Sequence, residues 1–212
     1  MLEKDLAQEF VKYLSCYDLY FEVDVEHPID IVAITENTCS AYEVKISFNF
    51  EVLEQAVRNK RNFHYSYVAV PYNDSLYFSN FKKNLCETLG VGLLVIKPNG
   101  QAAQLVKPKL NRAINFKQTL GRLHEYQKQC VPGTKCGDTG KITSFQVTVD
   151  NAERYAIRHL GCTLAEIING ISHHYITDEV AKRNIATWIR QGVIKTLKIV
   201  NKKVYYNKNN SV

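Results

Sequence analysis

Apolar positions recur every three or four residues near the start of the chain. Leu2, Leu6, Phe10 and Tyr13–Leu14 share one face and predict a helix over 2–15. The period then changes. Residues 19–25 (Leu-Tyr-Phe-Glu-Val-Asp-Val) alternate and predict a strand, and two more are predicted at 29–34 and 40–46 around a turn at Asn37-Thr38. A second amphipathic helix follows at 50–63. Phe50, Leu53, Ala56–Val57 and His64 form its apolar stripe, and Glu51, Gln55, Arg58, Asn59 and Asn62 its polar face. Residues 65–70 predict a strand closed by Pro71, 77–89 a helix and 92–97 a further strand. The order α-β-β-β-α-β-α-β predicts an α/β domain with a mixed central sheet flanked by helices.

The pattern weakens after residue 106. Lys107-Pro108-Lys109 opens a polar stretch, 116–130 predicts one helix, and 131–140 is glycine-rich. We therefore expect a domain over 1–106, a linker over 107–150 and a second domain over 151–212. In that last region a helix is predicted over 151–160, capped by Asp150 or Asn151. Thr163 and Glu166 have the spacing of a capping box, Thr177 starts a third helix and Gln191-Gly192 stops it. Strands at 193–200 and 203–207 meet at Asn201-Lys202. Three helices and a hairpin in so short a span suggest a small winged helix-turn-helix domain.

Charge sharpens this division. Residues 1–54 hold twelve Asp/Glu and three Lys/Arg, whereas residues 151–212 hold ten Lys/Arg and four Asp/Glu. An acidic region beside a basic one suits a metal site coupled to a surface for a polyanion. No stretch approaches the ~20 apolar residues of a membrane span, and the acidic N-terminus has no signal-peptide core, so a cytoplasmic protein without membrane attachment is expected. The six cysteines are scattered, never form CxxC, and are expected to be reduced.

The candidate chemistry lies in two apolar runs that carry charge. Asp30 stands between Ile29 and Ile31, and Glu43 between Tyr42 and Val44. A carboxylate in such a strand loses hydration and needs a partner or a metal. Glu43 and Lys45 are two apart and face the same way. By spacing alone the favoured reading is an ordinary Glu43–Lys45 pair on an exposed sheet face; the order of elements around it shifts the balance.

With Asp30, Glu43-Val44-Lys45 and that order, residues 1–100 resemble the PD-(D/E)XK nuclease superfamily, whose fold is restriction-endonuclease-like. The runs 43–50, 53–57 and 67–71 resemble phage and bacterial members more than any restriction enzyme. Pro28 and Asp30 are separated by Ile29, a departure from the usual adjacent Pro-Asp. The resemblance implies a Mg²⁺-dependent deoxyribonuclease, an endonuclease, with Mn²⁺ as a substitute ion. Asp30, Glu43 and the Val44 carbonyl would be metal ligands, and Lys45 would orient or activate the attacking water. Glu9 matches the glutamate that many members carry on the first helix, and Gln55 a glutamine on the second; each also reads as a surface residue.

Lys182, Arg183 and Arg190 fall on the helix that the winged-helix resemblance makes the recognition helix, and Lys195, Lys198, Lys202 and Lys203 on the wing. These side chains would neutralise phosphates of duplex DNA. A docking role for this domain stays open. So do two alternatives for the whole protein: an inactive nuclease fold that binds DNA or regulates, and an RNA-directed nuclease. A homodimer would suit double-strand cutting. No nucleotide cofactor is expected, because 137–143 lacks the glycine and Ser/Thr spacing of a phosphate loop. His124, Cys130 and Cys136 match no usual zinc spacing, and His173-His174-Tyr175 reads as a turn or a phosphate-facing edge.

Overall fold

The computed structural model describes residues 2–25, 27–73, 79–97, 99, 101–134 and 142–207. The chain divides into two units, Met1–Lys141 and Ile142–Val212. The first is an α/β unit around a six-stranded mixed sheet. Its strands β1 (Asp18–Asp24), β2 (Pro28–Ile34), β3 (Cys39–Val44), β4 (Tyr65–Pro71), β5 (Gly92–Ile96) and β6 (Ala102–Val106) lie side by side in chain order. The β1–β2, β2–β3 and β5–β6 pairs are antiparallel, and β3–β4 and β4–β5 are parallel.

Helices cover both faces of this sheet. Leu6, Ala7 and Phe10 of α1 (Glu3–Tyr13) pack with Ile31, Ala33, Tyr42 and Val44. On the other face, Val52, Leu53 and Ala56 of α2 (Phe50–Asn59) pack with Val68, Val70, Leu93 and Val95. Asn49 caps α2 by accepting the Val52 N–H at 2.9 Å. Helix α3 (Asn80–Leu89) ends at Gly90, whose left-handed φ of 68° would strain any other residue.

Three expectations change in this unit. Strand β6 was not predicted, because Ala-Ala-Gln-Leu-Val has no clear alternation and gains its order from pairing with β5. The helix expected over 116–130 is two pieces, α4 (Phe116–Leu120) and a 3₁₀ turn (Glu125–Gln129). The expected linker also does not behave as one over residues 107–134. Asn111 N–H donates to His64 O at 2.9 Å, Thr119 Oγ1 donates to Asn62 O at 2.8 Å, and Ile114, Phe116 and Leu123 pack on a core cluster with Val23, Ile29 and Phe63. The stretch is polar because it is a strap held largely by hydrogen bonds.

The second unit runs helix–strand–helix–helix–strand–strand: α5 (Ser144–Arg158), β7 (Cys162–Thr163), α6 (Leu164–Gly170), α7 (Asp178–Arg190), β8 (Leu197–Val200) and β9 (Lys203–Tyr206). The three strands form a sheet in the order β7-β9-β8. Ala152, Ala156, Ile167, Ile168, Ala181, Ile185, Ile189 and Val204 fill its core. Helix α5 starts seven residues before the predicted 151, and so inside the expected linker; Thr143 caps it by accepting the Gln146 N–H at 3.1 Å. The β-branched Val147, Thr148 and Val149 hid this turn, since they favour strands. In the structure, Thr148 Oγ1 donates to the Ser144 carbonyl at 2.9 Å and is satisfied within the helix. Among the described residues no helix is long and apolar enough to cross a membrane.

Candidate active site

The antiparallel register decides which charged residues meet. Ile31 pairs with Tyr42, so the next step of the β2–β3 ladder sets Asp30 beside Glu43. Phe21 pairs with Ile31, which sets Glu22 on the other side of Asp30. Three neighbouring strands thus contribute one carboxyl group each. The cleft above this row measures about 580 Å³, and Glu3, Glu22, Asp30, Lys45, Glu51 and Gln55 are among its walls.

Lys45 follows the end of β3, held by its N–H donating to Ala69 O at 3.0 Å. Its ammonium donates to Asp30 Oδ2 and to Glu3 Oε1, each at 2.8 Å. Asp30 Oδ2 also accepts the Val44 N–H at 2.7 Å. Burial pushes the Asp30 carboxyl above its ordinary range, opposed by the Lys45 ammonium and the Val44 amide. For Lys45, burial favours the neutral amine, but attraction to Asp30 and Glu3 outweighs it and the pKa rises.

Glu43 is more enclosed still. It is 1% exposed and lies beneath the cleft rather than along its wall. Asn59 Nδ2 donates to its Oε1 at 2.8 Å, and His27 Nε2 stands 3.9 Å from the same oxygen. Burial, then repulsion from Asp30, pushes the Glu43 carboxyl up to about 8. Near neutral pH this side chain therefore holds a proton while Lys45 keeps its charge.

Among the described residues, Gln55 Oε1, Asn59 Oδ1 and His27 Nε2 are buried with no hydrogen-bond partner. Such orphaned groups cost free energy and point to a missing partner. No protein-family model matches the chain, and comparison with curated proteins finds no relative.

Asp30, Lys45 and Gln55 do meet at one cleft, with Glu43 directly under it. Val44 contributes an amide hydrogen bond to Asp30. Glu9 is not brought there. It pairs with Lys12 at 2.6 Å on α1, and Glu3 of the same helix reaches the site instead. Glu22 is the second residue the sequence did not single out. It has a left-handed φ of 53°, a conformation that costs a non-glycine residue about 1–2 kcal/mol. Its Oε1 accepts the Gly133 and Thr134 amides at 2.9 and 3.2 Å. In the sequence Glu22 is an ordinary polar position of an alternating strand. Asn59 and His27 carried no signal either, because their roles arise from the approach of distant elements to Glu43.

In the second unit, Lys182, Arg183 and Arg190 are exposed on α7, and Lys198 and Lys203 on the hairpin strands with Lys202 at their turn. Lys195 lies before β8 rather than on the hairpin. Lys182, Arg190 and Lys202 line one groove of about 390 Å³, together with Thr163, Leu164, Ala165 and Ile199. His173 and His174 have structural partners, Asp178 Oδ1 at 3.1 Å and Thr148 Oγ1 at 2.7 Å. Residues 135–141 lie outside the described residues, and with them Cys136 and most of the 137–143 stretch.

Among the described residues no group of three or more His, Cys, Asp or Glu side chains stands ready to hold a metal ion. The hydrogen bonds above give the reason: Asp30 is turned to Lys45 and Val44, and Glu43 to Asn59.

Proposed function

We propose that the chain is a metal-dependent nuclease of the PD-(D/E)XK type that hydrolyses phosphodiester bonds in DNA. The observation that carries this reading is the carboxyl row Glu22–Asp30–Glu43, with Glu22, Asp30 and the Lys45 ammonium on the walls of one open cleft and Glu43 directly beneath it. A salt-bridged sheet surface would not bury two of these carboxyls beside each other at such electrostatic cost.

The carboxyl oxygens of this row would suit Mg²⁺, with Mn²⁺ as a substitute, once Asp30 and Glu43 turn from the partners they hold here. Hard oxygen ligands suit both, and Mg²⁺ keeps several waters and needs only one or two protein carboxylates with substrate phosphates. Asp30, and Glu43 after release of its proton, would hold the ion, joined by the Val44 carbonyl. When bound, it supplies Lewis-acid polarisation of the phosphate and a more acidic water. The protein's own groups do the rest. Lys45 keeps its proton and stabilises charge developing on the phosphate oxygens. Glu3 and Asp30 fix the position of that ammonium. Gln55, with its unpartnered Oε1 at the cleft, orients a hydroxyl or water of the substrate complex. Glu22, braced by two amides, keeps the cleft acidic beside Asp30.

The second unit has the element order of a winged helix. We assign its groove of Lys182, Arg190 and Lys202 to the phosphates of duplex DNA, as sequence-independent attachment. A homodimer would supply the second site for double-strand cutting.

A second reading draws on the covered state of Glu43: a nuclease fold that binds DNA without cutting it. One assay separates the two. Purified protein with Mg²⁺ or Mn²⁺ is incubated with plasmid, linear duplex, single-stranded DNA and matched RNA, beside Lys45→Ala and an EDTA control. We expect DNA cleavage with the divalent ion and none in EDTA, with Lys45→Ala slower than the parent by about 10² or more, the loss typical of one stabilising donor. Intact DNA in every lane, or equal cutting by Lys45→Ala, sinks the nuclease reading. Cleavage of RNA alone moves the substrate class.

A further inference from the structure

A second, smaller pocket adjoins the catalytic cleft. It measures about 150 Å³ and is lined by Ile46, Ser47, Phe48, Val70, Pro71, Asn73 and Lys82. Ile46 and Ser47 also line the cleft, so the two share a wall. The small pocket opens beyond the carboxyl ends of parallel strands β3 and β4, the end where open α/β sheets bind ligands.

The chemistry of the small pocket differs from that of the cleft. Its walls carry no carboxylate: the side chains of Ile46, Phe48, Val70 and Pro71 alternate with the polar Ser47 and Asn73, and its one charge is a cation. Lys82 Nζ stands 5.7 Å from the centroid of the Phe48 ring. Ile46 is 56% exposed, an unusual state for isoleucine beside a polar cleft. Two further aromatics stand out nearby in the chain: Phe50, 76% exposed, between the cleft residues Asn49 and Glu51, and Phe81, 71% exposed, next to Lys82.

A slot that joins one aromatic ring, hydrogen-bonding side chains and one ammonium matches a nucleotide unit, with Phe48 for the face of a base, Ser47 and Asn73 for its polar edge and Lys82 for a phosphate. A base inside a duplex cannot enter, since both of its faces are stacked on neighbours. We infer that this pocket is a subsite for an unpaired nucleotide next to the scissile phosphate, and that the substrate is a nucleic acid with a frayed, forked or single-stranded segment at the cut. Ile46 and Phe48 form the apolar seat of the base, and Lys82 takes the neighbouring phosphate. The inference rests on the nuclease reading and narrows its substrate class.

The test uses the full-length protein and fluorescent oligonucleotides of equal length: a blunt duplex, a forked duplex and a single strand, each as DNA and as RNA. Binding is measured by anisotropy in EDTA, and cleavage separately with Mn²⁺. Wild-type protein is expected to favour the forked over the blunt duplex by about tenfold, the contribution of roughly one stacked base. Lys82→Gln and Ile46→Ser are each expected to remove most of that preference; both sites are at least partly exposed, and thermal unfolding checks that the fold survives. A wild-type protein that cuts DNA but treats forked and blunt duplexes alike overturns the subsite and leaves the nuclease reading standing. So does an undiminished preference in both variants. A wild-type dimer that Ile46→Ser dissociates overturns it in favour of self-association. Absence of both binding and cutting removes the nuclease reading itself. The DNA and RNA arms decide the sugar.

Discussion

Glu43 shows how far one residue's chemistry is set by its surroundings. Its carboxyl is pushed from 4.5 to about 8 by burial and then by Asp30. Between those values the native state of the metal-free protein holds a proton that the unfolded chain has released. Stability must therefore fall as pH rises through that window, and level off above it. In EDTA, urea unfolding from pH 5 to pH 8.5 is expected to lose a few kcal/mol, an order-of-magnitude figure from the size of the shift. Glu43→Gln has no such proton to release and is expected to flatten most of this slope. Equal slopes in the two proteins would mean that Glu43 is ionised throughout. The burial itself was legible: a carboxylate between Tyr42 and Val44 in an apolar run is a warning in any sequence. The choice of Glu3 over Glu9 was not. Six residues at about 100° each set them on different faces of α1, and only its docking on the sheet decides which face meets Lys45.

At the scale of elements, the site depends on a loop from the stretch expected to be a linker. Gly133 has a φ of 74°, and a Cβ there would come within 2.9 Å of the Lys4 Cα and 3.2 Å of the Glu3 carbonyl. The same residue gives its amide to Glu22. The loop thus braces the first turn of α1 and the carboxylate of β1 together at the cleft. Gly133→Ala is expected to destabilise the first unit by about 2–3 kcal/mol, combining left-handed strain with a clash against backbone. Gly192 supplies the control. Its φ is 72° with nothing within 4 Å, so Gly192→Ala should cost the second unit only the strain, about 1 kcal/mol. Equal losses in thermal or denaturant unfolding would show that the loop does not press on α1. Periodicity found α1 to α3 and most strands of the sheet, because their burial follows one face. It missed this brace, because two isolated hydrogen bonds and a close approach have no period.

For the whole molecule, the excess of positive charge lies in the second unit, whereas the first is nearly balanced and acidic only over residues 1–54. The first holds the acidic cleft, and the second carries the excess of Lys and Arg. If the second unit attaches to phosphates, affinity for DNA must fall steeply with salt. Removing two contacting cations with Lys182→Gln and Arg190→Gln should reduce the slope of log K against log salt by about 1.8. An unchanged slope, measured by anisotropy in EDTA across a salt series, would move DNA binding away from this groove. By itself, the sequence determined the α/β character of the first unit and the contrast between an acidic start and a basic end, because strand alternation and helical period dictate burial locally; it marked Asp30, Glu43 and Lys45 as charges in apolar runs, and strand register brought Asp30 beside Glu43. Tertiary structure alone decided that Glu3 and Glu22 complete the cleft, that Glu43 lies covered under it beside Asn59, and that residues 107–134 belong to the first unit. Those outcomes depend on strand register, on helix docking and on a loop returning across more than a hundred residues of chain, none of which leaves a periodic trace in the sequence.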